Sequence, residues 1–324
     1  MSSTPGLSAN ARTVSFYSAI GGDSRPLGVR RTTAGSKATG AGKADQAARL
    51  RDATEAVLSI HRERLSEAVR PNAPDPTLPD FREILRAAEQ KELRDLSIFQ
   101  RSLRKQARVR AHRAACLHAS GLIVAARELK TEYQQLLDQK WSSLVDNAPG
   151  QVVEVLEAAF QAHHVPAAPL DVDGSDVAIA VLVPGIEAIP DRHSTTTASG
   201  NLSLKKMTKT MRNELYLEFV LGWAILAARE AFAIAPGLTR ASLLVGRHMP
   251  GSSDTEFIAT MTLARTGLAQ SSRGASASAM VAGASSGLVM KTRGAAKDIQ
   301  ALDLDSTPRF DPTRTYRAFA QLTG

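Results

Sequence analysis

Apolar side chains recur at helical spacing in two stretches of the first half of the chain. The first stretch, residues 42–70, places Ala48, Ala53 and Val57 on one side of a helix that runs to about Val69. A cluster of four prolines at residues 71–80 follows it. Proline fixes φ and lacks an amide hydrogen, so this cluster predicts a stiff extended spacer.

The second helical stretch, residues 81–146, contains no proline and a single glycine, Gly121. Asp80 precedes it and suits the N-cap position, because its side chain can accept a hydrogen bond from a free backbone amide. Such length is unusual for one helix of a globular domain. We therefore expect a helical hairpin or coiled-coil arm of two or three antiparallel helices, with a break near Gly121.

From residue 147 onward the pattern changes to a mixture of strands and helices, which predicts an α+β domain at 147–324. After a helix opened by Pro149, strands are expected at 170–172 and 177–183, with a turn at Asp173-Gly174. Strand 177–183 is apolar on both faces and is expected at the centre of a covered sheet. Further strands are expected at 241–245, 257–263 and 288–290.

One helix, residues 208–234, is apolar almost all round in its middle and is expected to be buried on more than one face. A polar loop at 190–203 precedes this helix, a weak helix is expected at 275–282, and turns complete the C-terminal region. The fold class is thus α+β: a disordered tail, a helical arm, and a mixed sheet around one buried central helix.

Composition predicts a basic N-terminal tail and indicates the cellular compartment. Residues 1–41 are rich in Ser, Gly, Thr and Arg and lack aliphatic periodicity, which predicts a disordered basic tail. The chain has one cysteine, Cys116, and no apolar run long enough to serve as a signal peptide or to span a bilayer. We expect a cytoplasmic protein.

A resemblance rests on three segments of the α+β region: the run Thr195–Lys209, Val181-Leu182-Val183-Pro184, and Arg229-Glu230-Ala231-Phe232-Ala233. These segments resemble a family of uncharacterised actinobacterial proteins of unknown function. It covers roughly residues 150–265, with a weaker likeness at 14–22. It implies a bacterial origin and no assigned activity.

A basic row is the most unusual local feature of the sequence. The stretch 96–127 contains no acidic residue, and its cations recur at helical spacing: Arg101, Arg104, Lys105, Arg108, Arg110 and Arg113. Such a row predicts a polyanion-binding face with salt-dependent affinity, for nucleic acid or an acidic protein. The alternative is a solvated face whose cations pair with the upstream acids Glu83, Glu89, Glu92 and Asp95.

The polar loop before the central helix is a second candidate site. Hydroxyl groups, a glycine and lysines precede the helix N-terminus, which attracts anions. The predicted anion-binding residues are Thr196, Thr197, Gly200, Lys205 and Lys206. The alternative is an ordinary connector whose hydroxyl groups cap the helix.

No catalytic or metal-binding motif stands out. Ser203 and Lys206 have S-x-x-K spacing without its companion motifs, and 171–176 lacks the glycine position of an EF-hand. The histidine pair at 163–164, and His112 with Cys116, lack further ligands. No cofactor or metal is predicted.

The sequence thus predicts a non-enzymatic interaction protein that binds nucleic acid or another polyanion through its basic helical face. Two alternatives remain open. One is a divergent enzyme with a site near Asp191, His193 and Lys206. The other is a scaffold that forms homo-oligomers through the helical arm.

Overall fold

The computed structural model describes residues 40–196, 202–249, 254–272, 274–303 and 310–323. The predicted disordered tail therefore lies outside the described residues except at its end, where Gly40 begins helix α1. The chain forms two compact units. Val69–Ser143 is the arm unit, and Met1–Ala68 together with Leu144–Gly324 is the α+β unit.

The arm unit contains two helices, as the sequence predicts. Helix α2 (Phe81–Leu93) begins after Asp80, whose side chain accepts a 2.8 Å hydrogen bond from the Arg82 amide, which confirms the N-cap. Helix α3 (Arg101–Val145) is 45 residues long. The predicted break near Gly121 is wrong: the break lies at 94–100, and α3 continues through Gly121 because one helical glycine costs only about 1 kcal/mol.

Helix α2 contacts α3 at residues 110–112. The Phe81 ring lies edge-on to His112, with ring centroids 5.7 Å apart, while Glu92 pairs with Arg110 at 2.9 Å. Ala107, Ala111 and Ala115, at i, i+4 and i+8, are buried.

The proline segment also runs back along α3 and is more than a spacer. Arg70 forms two hydrogen bonds to the Asp138 carboxylate, at 2.6 and 2.8 Å, and Asp75 accepts one from Lys130 at 2.6 Å. The Ala73 amide donates to the Gln134 side chain. The hydrogen bonds from Arg70 and Lys130 lower the pKa of Asp138 and of Asp75, respectively.

The α+β unit contains a five-stranded mixed sheet in the order β1-β2-β5-β6-β7. Its strands are β1 (Ala167–Asp173), β2 (Asp176–Val183), β5 (Arg240–His248), β6 (Thr255–Ala264) and β7 (Ser285–Val289). Strand β2 pairs antiparallel with β1 and parallel with β5. A two-residue turn joins β1 to β2 with Gly174 at φ 56°, so the predicted turn and the two-sided burial of β2 are confirmed.

The remaining elements of the α+β unit are helices and short hairpins. The helices are α1 (Gly40–Leu58), α4 (Pro149–Ala162), α5 (Lys209–Ile234), α6 (Arg265–Gln270), α7 (Ala277–Ala284) and α8 (Pro312–Thr323). The hairpins are β3 (Arg192–Thr196) with β4 (Leu202–Lys206), and β8 (Lys291–Arg293) with β9 (Asp298–Gln300).

Helix α5 is the predicted central helix. It begins after Thr208, whose hydroxyl accepts from the Met211 amide, and every residue from Phe219 to Ala228 is buried. Strands β2 and β5 cover one side of it, while α1, α4 and α7 cover others. The opposite face of the sheet is covered by Leu302, Phe310 and Phe319, the last of these on α8.

Three local predictions are wrong. The helix predicted to reach Val69 ends at Leu58, because the chain then forms a 3-10 turn at Ile60–Arg62 and runs along α5. The Arg229 side chain and the Ala233 carbonyl bind backbone groups of that segment, at His61 and Ala68. The predicted polar loop contains the β3–β4 hairpin, and the predicted C-terminal turns contain α8.

The substitution Gly121→Ala tests the continuity of α3. A Cβ atom at Gly121 meets no atom within 4 Å, so alanine is expected to stabilise α3 by about 0.5–1 kcal/mol. Hydrogen exchange of peptides from α3 should slow. Gly174→Ala, at positive φ, should destabilise the β1–β2 turn. Faster exchange in Gly121→Ala would indicate a break at this position.

Candidate functional site

The basic face of α3 is the strongest candidate site in the arm unit. Arg101, Lys105 and Arg108 follow one another at i, i+4 and i+7, so they lie on one side of the helix over about 10 Å. All three are exposed, and no hydrogen bond or ion pair joins their side chains to any described residue. We call these three residues the α3 basic face.

Two other cations of the predicted row have structural partners. Arg104 is half-buried and donates a 2.9 Å hydrogen bond to the Leu96 carbonyl, closing the connection between α2 and α3. Arg110 pairs with Glu92, one of the upstream acids considered from the sequence. Arg113 is exposed, on a different side of the helix from the basic face. Arg104 thus binds the 94–100 connection and Arg110 binds α2, while the rest of the row faces solvent.

An exposed apolar tip lies beside the basic face and was missed as a candidate. Ile98 and Phe99, in the 94–100 connection, are 71% and 86% exposed, and Leu103 on α3 is half exposed. The tip adds an aromatic ring next to Arg101, although no aromatic residue interrupts the cations themselves. The start of α3 is marked by a capping-box spacing, because the Gln100 side chain accepts from the Ser97 amide.

The residues of the predicted anion site do not converge. Thr197 and Gly200 lie outside the described residues. Thr196 pairs with Leu202 at one end of the β3–β4 hairpin, while Lys206 pairs with Arg192 at the other, four residues or about 13 Å away. Lys205, opposite His193, points to the other face of the hairpin.

The first turn of α5 already lies against a carboxylate of the protein itself. Asp298 on β9 accepts hydrogen bonds from Lys209 at 2.5 Å and from Asn213 at 2.6 Å. These bonds, the one from Lys209 foremost, lower the pKa of Asp298. The capping role of Thr208 matches the alternative in which hydroxyl groups of this segment cap the helix.

The three residues of the enzyme alternative are also separated. His193 and Ser194 line a cavity of about 410 Å³ between α1, the hairpin and α5, and neither Asp191 nor Lys206 lines it. His193 and Lys206 point to opposite faces of the hairpin, because side chains alternate along a strand. The cavity is lined by the apolar residues Leu58, Met207, Met211 and Leu215 and by the charged residues Arg51, Glu55 and Arg62.

A buried carboxylate paired with a half-buried histidine is an unusual ionisable feature of the α+β unit. His163 Nδ1 lies 2.5 Å from Oε1 of Glu230, which is 1% exposed. Burial raises the pKa of Glu230 more than the bond to His163 lowers it, and the charge of Glu63 raises it further. The sequence drew attention to His163, but nothing in its pattern marked Glu230.

The described residues contain no group of three His, Cys, Asp or Glu side chains arranged to hold a metal ion. His112 and Cys116, one turn apart on α3, approach each other to 3.6 Å without a further ligand. No helix within the described ranges is both long and apolar enough to cross a membrane.

Comparison of the chain with protein-family models, curated proteins and solved structures yields no match. The resemblance to an actinobacterial family therefore stays a prediction. The geometry alone therefore defines the class of site, which is an exposed cationic helix face in the arm unit.

The substitution Glu230→Gln tests the buried pair. A carboxyl group whose pKa is raised by folding stabilises the protein less as pH rises above its unfolded value of about 4.5. The amide keeps the bond from His163 and has no charge to bury. The melting temperature of Glu230→Gln, relative to that of the wild type, should therefore be higher at pH 8 than at pH 5. Glu157→Gln, at an exposed position of α4, should show no such trend, and an equal difference at both pH values would contradict the assignment.

Proposed function

We propose that this is a non-enzymatic interaction protein that binds nucleic acid or a similar polyanion through the α3 basic face. One observation carries the proposal: Arg101, Lys105 and Arg108 are exposed at successive turns and have no acidic partner among the described residues. Unpaired cations on one rigid helix repel one another, and a polyanion relieves this repulsion.

The rigidity of α3 supports the same function. Arg104 and Arg110 bind the α2 side of the arm, while the basic face on the same helix stays open. A helix that presents charges at fixed spacing does not have to order itself on binding, which lowers the entropic cost. Three such cations contact phosphates without reading bases, so we expect little sequence preference. A bacterial cytoplasm, which supplies nucleic acid and keeps Cys116 reduced, is the proposed location.

The decisive experiment compares two triple variants with the same change in net charge. Arg101→Glu/Lys105→Glu/Arg108→Glu removes the basic face, whereas Arg49→Glu/Arg192→Glu/Arg293→Glu changes exposed cations of the α+β unit. Fluorescence anisotropy with a short DNA duplex over a salt series should show that the first variant binds at least about tenfold more weakly than the wild type. Its log–log salt slope should fall by about three.

Two results would overturn the proposal. Equal weakening in both variants would mean that net charge, and not the α3 basic face, governs binding. Absence of wild-type binding to duplex DNA and to RNA at low salt would remove nucleic acid as the partner. Circular dichroism of each variant shows whether its helices remain intact.

Self-association through the arm is a second candidate function, favoured by a separate observation. Leu122, Leu129 and Leu136 recur every seven residues on one side of α3, with Tyr133 beside them, and all four are exposed. Leu129 is 65% exposed and Leu136 58% exposed. A seven-residue apolar repeat is the spacing by which helices pair in coiled coils, and a second copy of the chain presents the identical repeat.

The substitutions Leu129→Glu/Leu136→Glu test whether a second copy of the chain covers this apolar repeat. If it does, the wild type should be dimeric by light scattering at micromolar concentration, and the variant monomeric, because buried charges oppose the contact. Leu117→Glu/Val124→Glu, also exposed but on another side of α3, should remain dimeric. A monomeric wild type excludes the dimer.

A further inference from the structure

A second cavity in the α+β unit shares Arg62 with the cavity beside His193 and is otherwise lined by different residues. It has a volume of about 380 Å³ and lies beside the 3-10 turn at Ile60–Arg62. Its walls come from the segment after this turn, from α5 at Arg229, and from the region of α6 and α7. We call it the arginine cavity.

Three arginines line the arginine cavity: Arg62, Arg64 and Arg229. None of the described residues that line it is an aspartate or a glutamate. Like charges that converge on a concave surface focus a positive potential into it. The cavity is therefore electrostatically suited to an anion.

Hydrogen bonds to main-chain carbonyls position two of these side chains. Arg62 donates to the Gly274 carbonyl at 3.3 Å, and Arg229 donates to the His61 carbonyl at 2.6 Å. For Arg62, a carbonyl acceptor orients the guanidinium group and leaves its formal charge in place. Arg64 is exposed, and no described residue binds its side chain. The cavity thus combines oriented cations with one that is free to close on a ligand.

The rest of the lining of the arginine cavity includes the polar residues His61 and Ser271 and four apolar residues. Leu65, Leu268, Ala269 and Met280 line it together with the arginines. Its volume exceeds what one small inorganic anion fills, so these side chains provide a surface for an organic group. Guanidinium forks match phosphate oxygens in geometry, and a phosphate monoester carries nearly two negative charges.

From this arrangement we infer that the arginine cavity binds a small phosphate monoester, with the phosphate on Arg62 and Arg64 and the organic part on Leu65, Leu268 and Met280. This site belongs to the α+β unit and uses none of the cations of the α3 basic face. A test of this site is therefore independent of nucleic-acid binding by the arm unit.

Isothermal titration with phenyl phosphate and with inorganic phosphate, at low chloride concentration, tests the inference. Phenyl phosphate should bind roughly tenfold more tightly than inorganic phosphate, because its ring removes apolar area from water. Phenol, which has the ring without the charge, should not bind. Arg62→Ala/Arg64→Ala should weaken phenyl phosphate binding by about tenfold or more.

Lys205→Ala/Lys206→Ala is the matched control, since it removes the same charge from the β3–β4 hairpin, the anion site predicted from the sequence. This control should retain wild-type affinity to within about twofold. The inference is overturned if the wild type binds neither anion, if the arginine variant binds as the wild type does, or if the lysine variant alone loses binding. Equal affinity for phenyl phosphate and inorganic phosphate would contradict the contribution of Leu65, Leu268 and Met280. Should the double variant fail to fold, Arg64→Glu, at an exposed side chain without contacts, replaces it.

Discussion

The architecture of the α+β unit depends on one requirement, the burial of helix α5 on every side. Its residues from Phe219 to Ala228 face no water, so a sheet on one side is not enough to cover them. The unit therefore recruits α4, α7 and the distant segment 40–68. Gly222 shows how closely that segment packs, since a Cβ there would lie 3.2 Å from the Ile60 side chain. The 3-10 turn and the two cavities beside it result from fitting this segment against the helix.

The arm unit follows a different constraint. Helix α3 is too polar to be buried on every side, and its basic side chains outnumber its acidic ones. Its alanine stripe gives α2 a narrow contact, and the hydrogen bonds of Arg70 and Lys130 hold the proline segment to its second half. These exposed ion pairs each contribute little alone. The consequence is a helix with one supported side. The remaining sides keep the α3 basic face and the repeat of Leu122, Leu129 and Leu136 accessible to a partner.

The elements with strong periodicity were predictable from the sequence, and those created by tertiary contact were not. Strand β2 and helix α5 were predicted almost to their ends because each is apolar on all faces. The β3–β4 hairpin is mostly polar, and the alternation of Leu202 and Leu204 with Ser203 in β4 is too short to mark a strand. The start of α3 was predictable in principle from the Ser97-x-x-Gln100 spacing just ahead of it, whereas Gly121 marks no break.

Of the candidate site residues, the sequence identified the basic row but not its division. Whether a cation is free depends on what the chain folds against it, as the contacts of Arg104 with Leu96 and of Arg110 with Glu92 show. The arginine cavity lay beyond prediction for the same reason. Arg64 and Arg229 are 165 positions apart, and no periodicity connects them.

The contacts that hold the proline segment to α3, Arg70 with Asp138 among them, bear on how the two pieces of the α+β unit come together. The α+β unit is interrupted by residues 69–143, so its two pieces meet only if a loop of about 75 residues closes. Closing a flexible loop of that length costs roughly 4 kcal/mol of chain entropy. Arg70 and Asp138 lie near the two ends of the arm, and their contact brings those ends together. An arm that folds first thus closes the loop in advance, and the sheet then assembles around α5 without that entropic cost.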